Sequence, residues 1–162
     1  MVNKMNKGMS EIVQGVCRIV SPCMFIFGFS LVIYGHITPG GGFSGGIVIA
    51  CSFILKMLAF GKEKALEKLP LKKAEFLHSI SILGFLTIAA LGFVKGIFFY
   101  NFLGKGKIFN LFSGGTILLN NIMIGVKIGV ALFVVIILLS MTRFVEKDGK
   151  IEYFEEEEKI TK

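Results

Sequence analysis

Lys127 is the side chain whose position asks most of the rest of the molecule. It falls in the middle of the most apolar run of the sequence, Ile117 to Met141. If that run crosses a bilayer as a helix, Lys127 stands roughly 15 Å in from its start, too deep for the ammonium to reach the headgroups easily. A lysine at the centre of such a helix costs about 2.5–3.5 kcal/mol on insertion scales, so some interaction has to offset it. Charged, the amine can hold an anion; neutral, it can carry a proton; in either form it can bond to carbonyls of a neighbouring helix. Exposure to lipid alone is the fourth reading. Asn120, seven residues earlier, shares its helical face, and Asn121 beside it extends a polar stripe outward. Gly125 and Gly129 form a small-xxx-small pattern that predicts close approach of another helix next to the lysine, and Gly92 and Gly96 repeat it upstream.

Other groups carry two readings each. His36, next to Thr38, offers a titratable ring for proton entry or gating, or a ring bonded to turn carbonyls; His78 divides the same way. No Asp or Glu occurs between Glu11 and Glu63, nor between Glu75 and Glu146. No carboxylate of this chain can therefore meet Lys127 at mid-membrane or build a sodium site there, and an anion paired with Lys127 would come from another subunit. Cys17, Cys23 and Cys51 are odd in number and lack metal-ligand spacing, so they read as reduced apolar residues, and no metal is expected. The run Gly40-Gly41-Gly42 has no preceding strand and no following Lys-Ser/Thr, which excludes a phosphate loop; Ser113-Gly114-Gly115-Thr116 fails likewise. With no nucleophile–base pair either, the chain is not expected to be an enzyme by itself.

The elements that position these groups follow from composition. Of 162 residues, 54% are hydrophobic and 18% charged, with mean hydropathy +0.75. Apolar runs of this length point to an all-α membrane protein, because backbone polar groups in lipid must be satisfied within the helix. The net charge of +7 comes from lysines placed beside the apolar runs, which the positive-inside rule explains without nucleic acid. Four transmembrane helices are predicted. The first opens at Ser10 or Glu11, or only at Ser21-Pro22, and ends at Tyr34; the others cover Gly46–Phe60, Phe76–Tyr100 and Ile117–Met141. A charged loop, 61–75, has room for a surface helix before Pro70. The loop 101–116 suggests an interfacial segment. Residues 1–145 form the membrane domain and 146–162 an acid-rich tail. Counting Lys and Arg at the span ends puts both termini in the cytoplasm. The glycine-rich hairpin between helices 1 and 2 then faces outward. Six of the twelve residues from Gly35 to Gly46 are glycine, and Pro39 is among them, so unusual φ/ψ angles or very close backbone contacts are expected.

The hairpin, Gly35-His36-Ile37-Thr38-Pro39-Gly40-Gly41-Gly42-Phe43-Ser44-Gly45-Gly46, closely resembles the G-H-x-x-P-G-G-G-F-x-G-G signature of the B subunit of multisubunit Mrp-type sodium/proton antiporters. The order of spans is similar too, so the resemblance covers most of Glu11 to Arg143. Related subunits occur in the sodium-translocating modules of membrane-bound NiFe hydrogenases and archaeal sulfur-reducing complexes. Antiporter members tend to carry Phe-Asp-x-Gly in span four. Here the stretch is Asn121-Ile122-Met123-Ile124-Gly125-Val126-Lys127, which resembles the hydrogenase-associated branch, and no antiporter carboxylate carries over to Met123.

The resemblance implies a non-catalytic membrane subunit of an ion-pumping respiratory complex, most similar to an archaeal hydrogenase or sulfur-reducing one. Na+ and H+ are the transported ions it implies, with no cofactor on this chain. Other membrane subunits, an attached redox module and the lipid bilayer would be its partners. Lys127, Asn120, Asn121, His36 and Thr38 are then candidates for the ion or proton path. Gly35, Pro39, Gly40, Gly41, Gly42, Gly45 and Gly46 would shape the hairpin, and Gly125 and Gly129 would serve helix packing. A passive assembly scaffold, or a subunit of a stand-alone antiporter, are the alternatives.

Overall fold

The apolar runs become four long helices in the computed structural model, which describes residues 9–103, 106, 113–147 and 150–155. In chain order the elements are α1 (Glu11–Tyr34), α2 (Gly42–Phe60), the short α3 (Lys62–Lys68), α4 (Leu71–Leu91), a 3-10 turn (Gly92–Lys95) and α5 (Thr116–Met141). Helices α1, α2, α4 (extended through the 3-10 turn) and α5 are each long and apolar enough to cross a membrane. The protein is thus a four-span, all-α membrane protein, as its composition demands. The helices stand in the spatial order α1, α2, α5, α4, so that α2 and α5 form the centre and α4 packs principally on α5.

Glycine explains how α2 fits between two neighbours. A Cβ added at Gly45 would lie 2.7 Å from the Gly28 carbonyl oxygen of α1, and one at Gly28 would lie 2.9 Å from that of Gly45. One residue on, a Cβ at Gly46 would lie 2.7 Å from the Gly125 carbonyl oxygen of α5. A Cβ at Gly42 would collide with the Asn121 carbonyl. Backbone therefore touches backbone on both sides of α2, which only small residues permit. Val32 of α1 fills the junction, touching the Cβ positions of both Gly45 and Gly125. Towards the opposite end of the bundle, large side chains take over. Phe53 meets Phe25 and Phe133 edge to face at 5.9 and 5.8 Å between centroids. Met57, Phe133, Ile137 and Met141 close the core there.

Pro22 lies inside α1, which settles the start of that helix at Glu11 rather than at Ser21-Pro22. Beside the proline, α1 is pinned to α2 by a reciprocal clamp. Ser21 Oγ donates to the Ser52 carbonyl at 2.8 Å and Ser52 Oγ donates to the Ser21 carbonyl at 2.9 Å, with both serines buried. At the same end Arg18 and Lys64 both lie 5.8 Å from the Phe60 ring, and Lys56 lies 5.9 Å from Phe53. These aromatic faces receive the cations of the basic end.

Two expected boundaries are corrected. Helix α2 begins at Gly42, not Gly46, because the glycines that looked like turn residues are helical and serve the close approach. The turn proper ends at Gly40 and Gly41, whose φ values of +145° and +124° suit glycine. The third span begins at Leu71, directly after Pro70, and its α-helix gives way at Leu91 to the 3-10 turn, so that the span ends near Val94 instead of running from Phe76 to Tyr100. It stops because the chain folds back over Gly92, where a side chain would meet the Ile97 carbonyl and the Phe99 amide at 2.8 Å. The return is held by the Phe99 N–H donating to the Ala89 carbonyl at 3.3 Å and by packing of Phe85, Phe98 and Phe99. The surface helix expected before Pro70 is α3. The interfacial segment expected within 101–116 lies largely outside the described residues. After α5, strands β1 (Thr142–Lys147) and β2 (Lys150–Glu155) pair antiparallel, with Thr142 opposite Glu155 and Lys147 opposite Lys150. Asp-Gly, the dipeptide between them in the sequence, is the residue type such connections favour. From residue 146 on, the expectation was an acid-rich tail, with no strand foreseen.

Gly46→Ala forces α2 away from α5 and is expected to lower stability by about 1–3 kcal/mol, the usual range for overpacking. Gly15→Ala, where the added methyl meets nothing within 4 Å inside α1, should raise it by about 0.5–1 kcal/mol. Thermal unfolding of the two variants in one detergent checks the opposite signs.

Candidate functional site

The packing of α5 fixes where Lys127 points. Gly125 and Gly129 face Val32, Gly46 and Ile49. Two residues along a helix is a rotation of roughly 200°, so Lys127, midway between the two glycines, projects away from α2. The expectation that the glycine pair brings a helix in beside the lysine is therefore corrected: the close approach is on the opposite face. Lys127 is eleven residues into the 26-residue α5, close to its midpoint. It is exposed, and it lines an open groove between α4 and α5 with Ser81, Ile82, Phe85, Met123, Ile124 and Ile128. The groove encloses about 150 Å³, room for several waters. Helix α4 approaches there through Gly84, whose added Cβ would lie 2.8 Å from Met123 Sδ.

Among the described residues Lys127 has no hydrogen bond, ion pair or cation–π partner. The Ser81 hydroxyl that shares its groove donates to the Leu77 carbonyl at 2.7 Å within α4. Two further polar atoms belong to this seam. Asn120, two turns from Lys127 on the same face of α5, has a buried Oδ1 without a hydrogen-bond partner. His78, on the α4 face that carries Ser81 and Phe85, has a buried Nδ1 in the same condition. Buried polar atoms in native proteins are almost always satisfied, by protein or by ordered water. Asn120, Lys127 and His78 thus form a sparse polar file along the α4/α5 seam, with Glu75 one turn from His78 on α4 and no acid at the level of Lys127.

The remaining candidates lie elsewhere. Asn121 is turned to the hairpin, its Oδ1 beside Gly41 and its carbonyl against Gly42, so the two asparagines do not make one stripe. His36 packs its ring on Gly114, where an added Cβ would lie 3.0 Å from its Cγ and Cδ2. Thr38 Oγ1 donates to the Tyr34 carbonyl at 3.1 Å, an orphan of the α1 terminus that also accepts from the Ile37 and Thr38 amides. Both sit at the hairpin end, roughly 16 Å of helix away from Lys127. Pro39 is exposed, and a Cβ at Gly35 would meet the Gly41 backbone. Among the described residues no His, Cys, Asp or Glu group could hold a metal.

Asn101 was missed from the sequence. Its Oδ1 accepts the Thr116 N–H at 3.1 Å and so caps α5 from fifteen residues away. Gly115, with φ +54°, leaves space for that side chain. An asparagine ending an aromatic run gives no spacing signal for a distant cap.

Residues 12–144 match the family described as a domain related to the MnhB subunit of Na+/H+ antiporter. An uncharacterised protein of Methanocaldococcus jannaschii is 36% identical over 141 residues, covering 82% of this chain and 53% of that protein. A Staphylococcus saprophyticus protein that carries the name antiporter subunit mnhB2 is 38% identical over 89 residues, covering 55% and 63%. Among solved structures, a chain of the membrane-bound sulfane sulfur reductase, an archaeal respiratory membrane complex, superposes with a TM-score of 0.67 at 30% identity, covering 83% of this chain and 61% of that one. The chain spans less than two thirds of each of these relatives.

Asn120→Leu removes an unpaired buried amide and should stabilise the isolated chain by about 1–3 kcal/mol. Asn101→Ala removes a cap and should destabilise it by about 0.5–2 kcal/mol. Parallel melting curves in detergent check the pair, and hydrogen exchange at Thr116 should rise only in the second.

Proposed function

Because the chain belongs to the family of domains related to the MnhB subunit of Na+/H+ antiporters, we propose that it serves as a non-catalytic membrane subunit of an ion-pumping respiratory complex, in which the α4/α5 seam forms or supports an ion or proton route. The observation that carries this reading is Lys127. It is a mid-span amine in an open groove, aligned with the unpaired polar atoms of Asn120 and His78. Water can complete that file, and an amine that exchanges a proton with it would link the two halves of the membrane. The likeness to a chain of the archaeal sulfur-reducing complex supports a redox-driven setting over a stand-alone antiporter. Sodium and protons are the ions proposed to move, with no cofactor held by this chain. Both termini, with the basic end, are proposed to lie at the cytoplasmic surface, a reading that the excess of Lys and Arg at that end of the spans supports.

A passive scaffold is the second reading, and the hairpin favours it for one part of the molecule. Gly42, Gly45 and Gly46 contact backbone, and Asn121, His36 and Thr38 pack against or bond to it, so these residues are proposed to hold the bundle's shape while the route lies at the seam.

Lys127→Met in the assembled complex discriminates the two. Ion translocation in sealed vesicles should fall by on the order of 10²-fold, the lower end for losing a positioned proton carrier in catalysis. The full set of subunits should still co-purify. Unchanged translocation, or loss of the complex without selective loss of transport, would favour the scaffold.

A further inference from the structure

From the same seam we infer that the α4/α5 groove is the docking site of a transmembrane helix from a neighbouring subunit, and that this helix presents a carboxylate to Lys127. The inference rests on the proposed membership of a complex and adds the partner's chemistry.

Charge identifies the occupant. Lys127 sits near the midpoint of α5, exposed and unpaired among the described residues, and everything else lining its groove is apolar except Ser81. The Ser81 hydroxyl donates to the Leu77 carbonyl, so its oxygen offers the ammonium one acceptor but no negative charge. An ammonium at this depth needs an anion or several acceptors, because lipid offers neither. Among the described residues no acid of this chain pairs with Lys127. The acid nearest in sequence to the groove is Glu75, six residues before Ser81 on α4, roughly 9 Å nearer the basic end. The anion cannot come from a second copy, because the spans of that copy are equally without acids at this level. A lipid phosphate lies at the headgroups, about half a bilayer away. That leaves a carboxylate carried on a different membrane polypeptide.

The shape of the groove agrees. Helix α4 packs principally on α5 and has the smallest buried share of the four spans, 17% of its apolar window. On the flank of α4 next to the groove, Ile82 and Leu86, one turn apart, are exposed. A helix laid along α4 and α5 covers this apolar side and closes the groove over the ammonium. In a low-dielectric surrounding, a pair so enclosed is far stronger than one at a surface, and removing one partner strands the other.

The test uses the intact complex extracted in mild detergent. Dicyclohexylcarbodiimide, which partitions into membranes, activates a carboxylate; an amine in contact then displaces dicyclohexylurea and forms an isopeptide. Peptide mass spectrometry should find Lys127 joined to an Asp or Glu of another membrane subunit. Lys127→Arg should abolish that link while keeping the complex whole. Lys127→Glu should reduce retention of the neighbouring subunit at least tenfold while leaving the melting temperature of the isolated chain unchanged. A complex that co-purifies intact but yields no Lys127 cross-link overturns the inference and leaves the proposed function standing. A link to Glu75 of the same chain, or an anionic lipid seen by native mass spectrometry to depart with Lys127→Met, also overturns it. If wild-type protein carries no other membrane chain after gentle extraction, the proposed function falls with it.

Discussion

Backbone-to-backbone contact along α2 is the constraint on which the rest of the structure depends. Within two adjacent residues, Gly45 and Gly46, this helix meets α1 on one side and α5 on the other. Neither contact leaves room for a Cβ. In a membrane the association of helices gains nothing from excluding water from apolar surface, so close van der Waals packing has to supply much of the attraction. The hairpin brings its glycines to that task by continuing α2 back to Gly42. The positive φ values of Gly40 and Gly41 allow the chain to enter the helix so early.

The candidate residues of α5 are oriented by that contact. Once Gly125 and Gly129 are committed to α2, helical geometry sends Lys127 to the far side, where α4 flanks it without enclosing it. Asn120 follows Lys127, whereas Asn121 follows the glycines. Neighbouring polar residues thereby acquire different work: one side of α5 builds the bundle, and the other carries a polar seam that the chain alone does not complete. The buried Ser21–Ser52 clamp and the Phe25–Phe53–Phe133 stack secure the same three helices at the opposite end, so the bundle does not depend on α4 to hold together.

Much of this was legible in the residues. Hydropathy alone located the four spans, because a helix is the only structure that lets these runs satisfy their backbone in lipid. The surface helix before Pro70, the approximate ends of α5 and the unusual depth of Lys127 followed from the same physics. What periodicity could not supply was direction. The small-xxx-small pattern at Gly125 and Gly129 announces a close neighbour without saying on which side, and the lysine between the glycines was read as lying beside that neighbour. Glycine density around Gly42 to Gly45 looked like turn chemistry because glycine serves turns and tight helix contacts equally. The early end of α4 at Leu91 depends on tertiary folding back over Gly92, and the Asn101 cap joins residues fifteen apart across a loop. Neither leaves a local pattern. The antiparallel pairing of Thr142–Lys147 with Lys150–Glu155 was not read from the acid-rich composition of this stretch.

Lys127, a mid-span lysine without a partner among the described residues, is proposed to be completed by a group from another chain. A high-resolution electron cryomicroscopy map of the assembled complex tests this most directly, read at the Lys127 side chain. Nζ should lie within hydrogen-bonding distance, about 2.7–3.2 Å, of an Asp or Glu oxygen from another subunit lying across α4 and α5. Density showing Nζ surrounded by acyl chains, or the side chain extended along α5 to the headgroups, would contradict it.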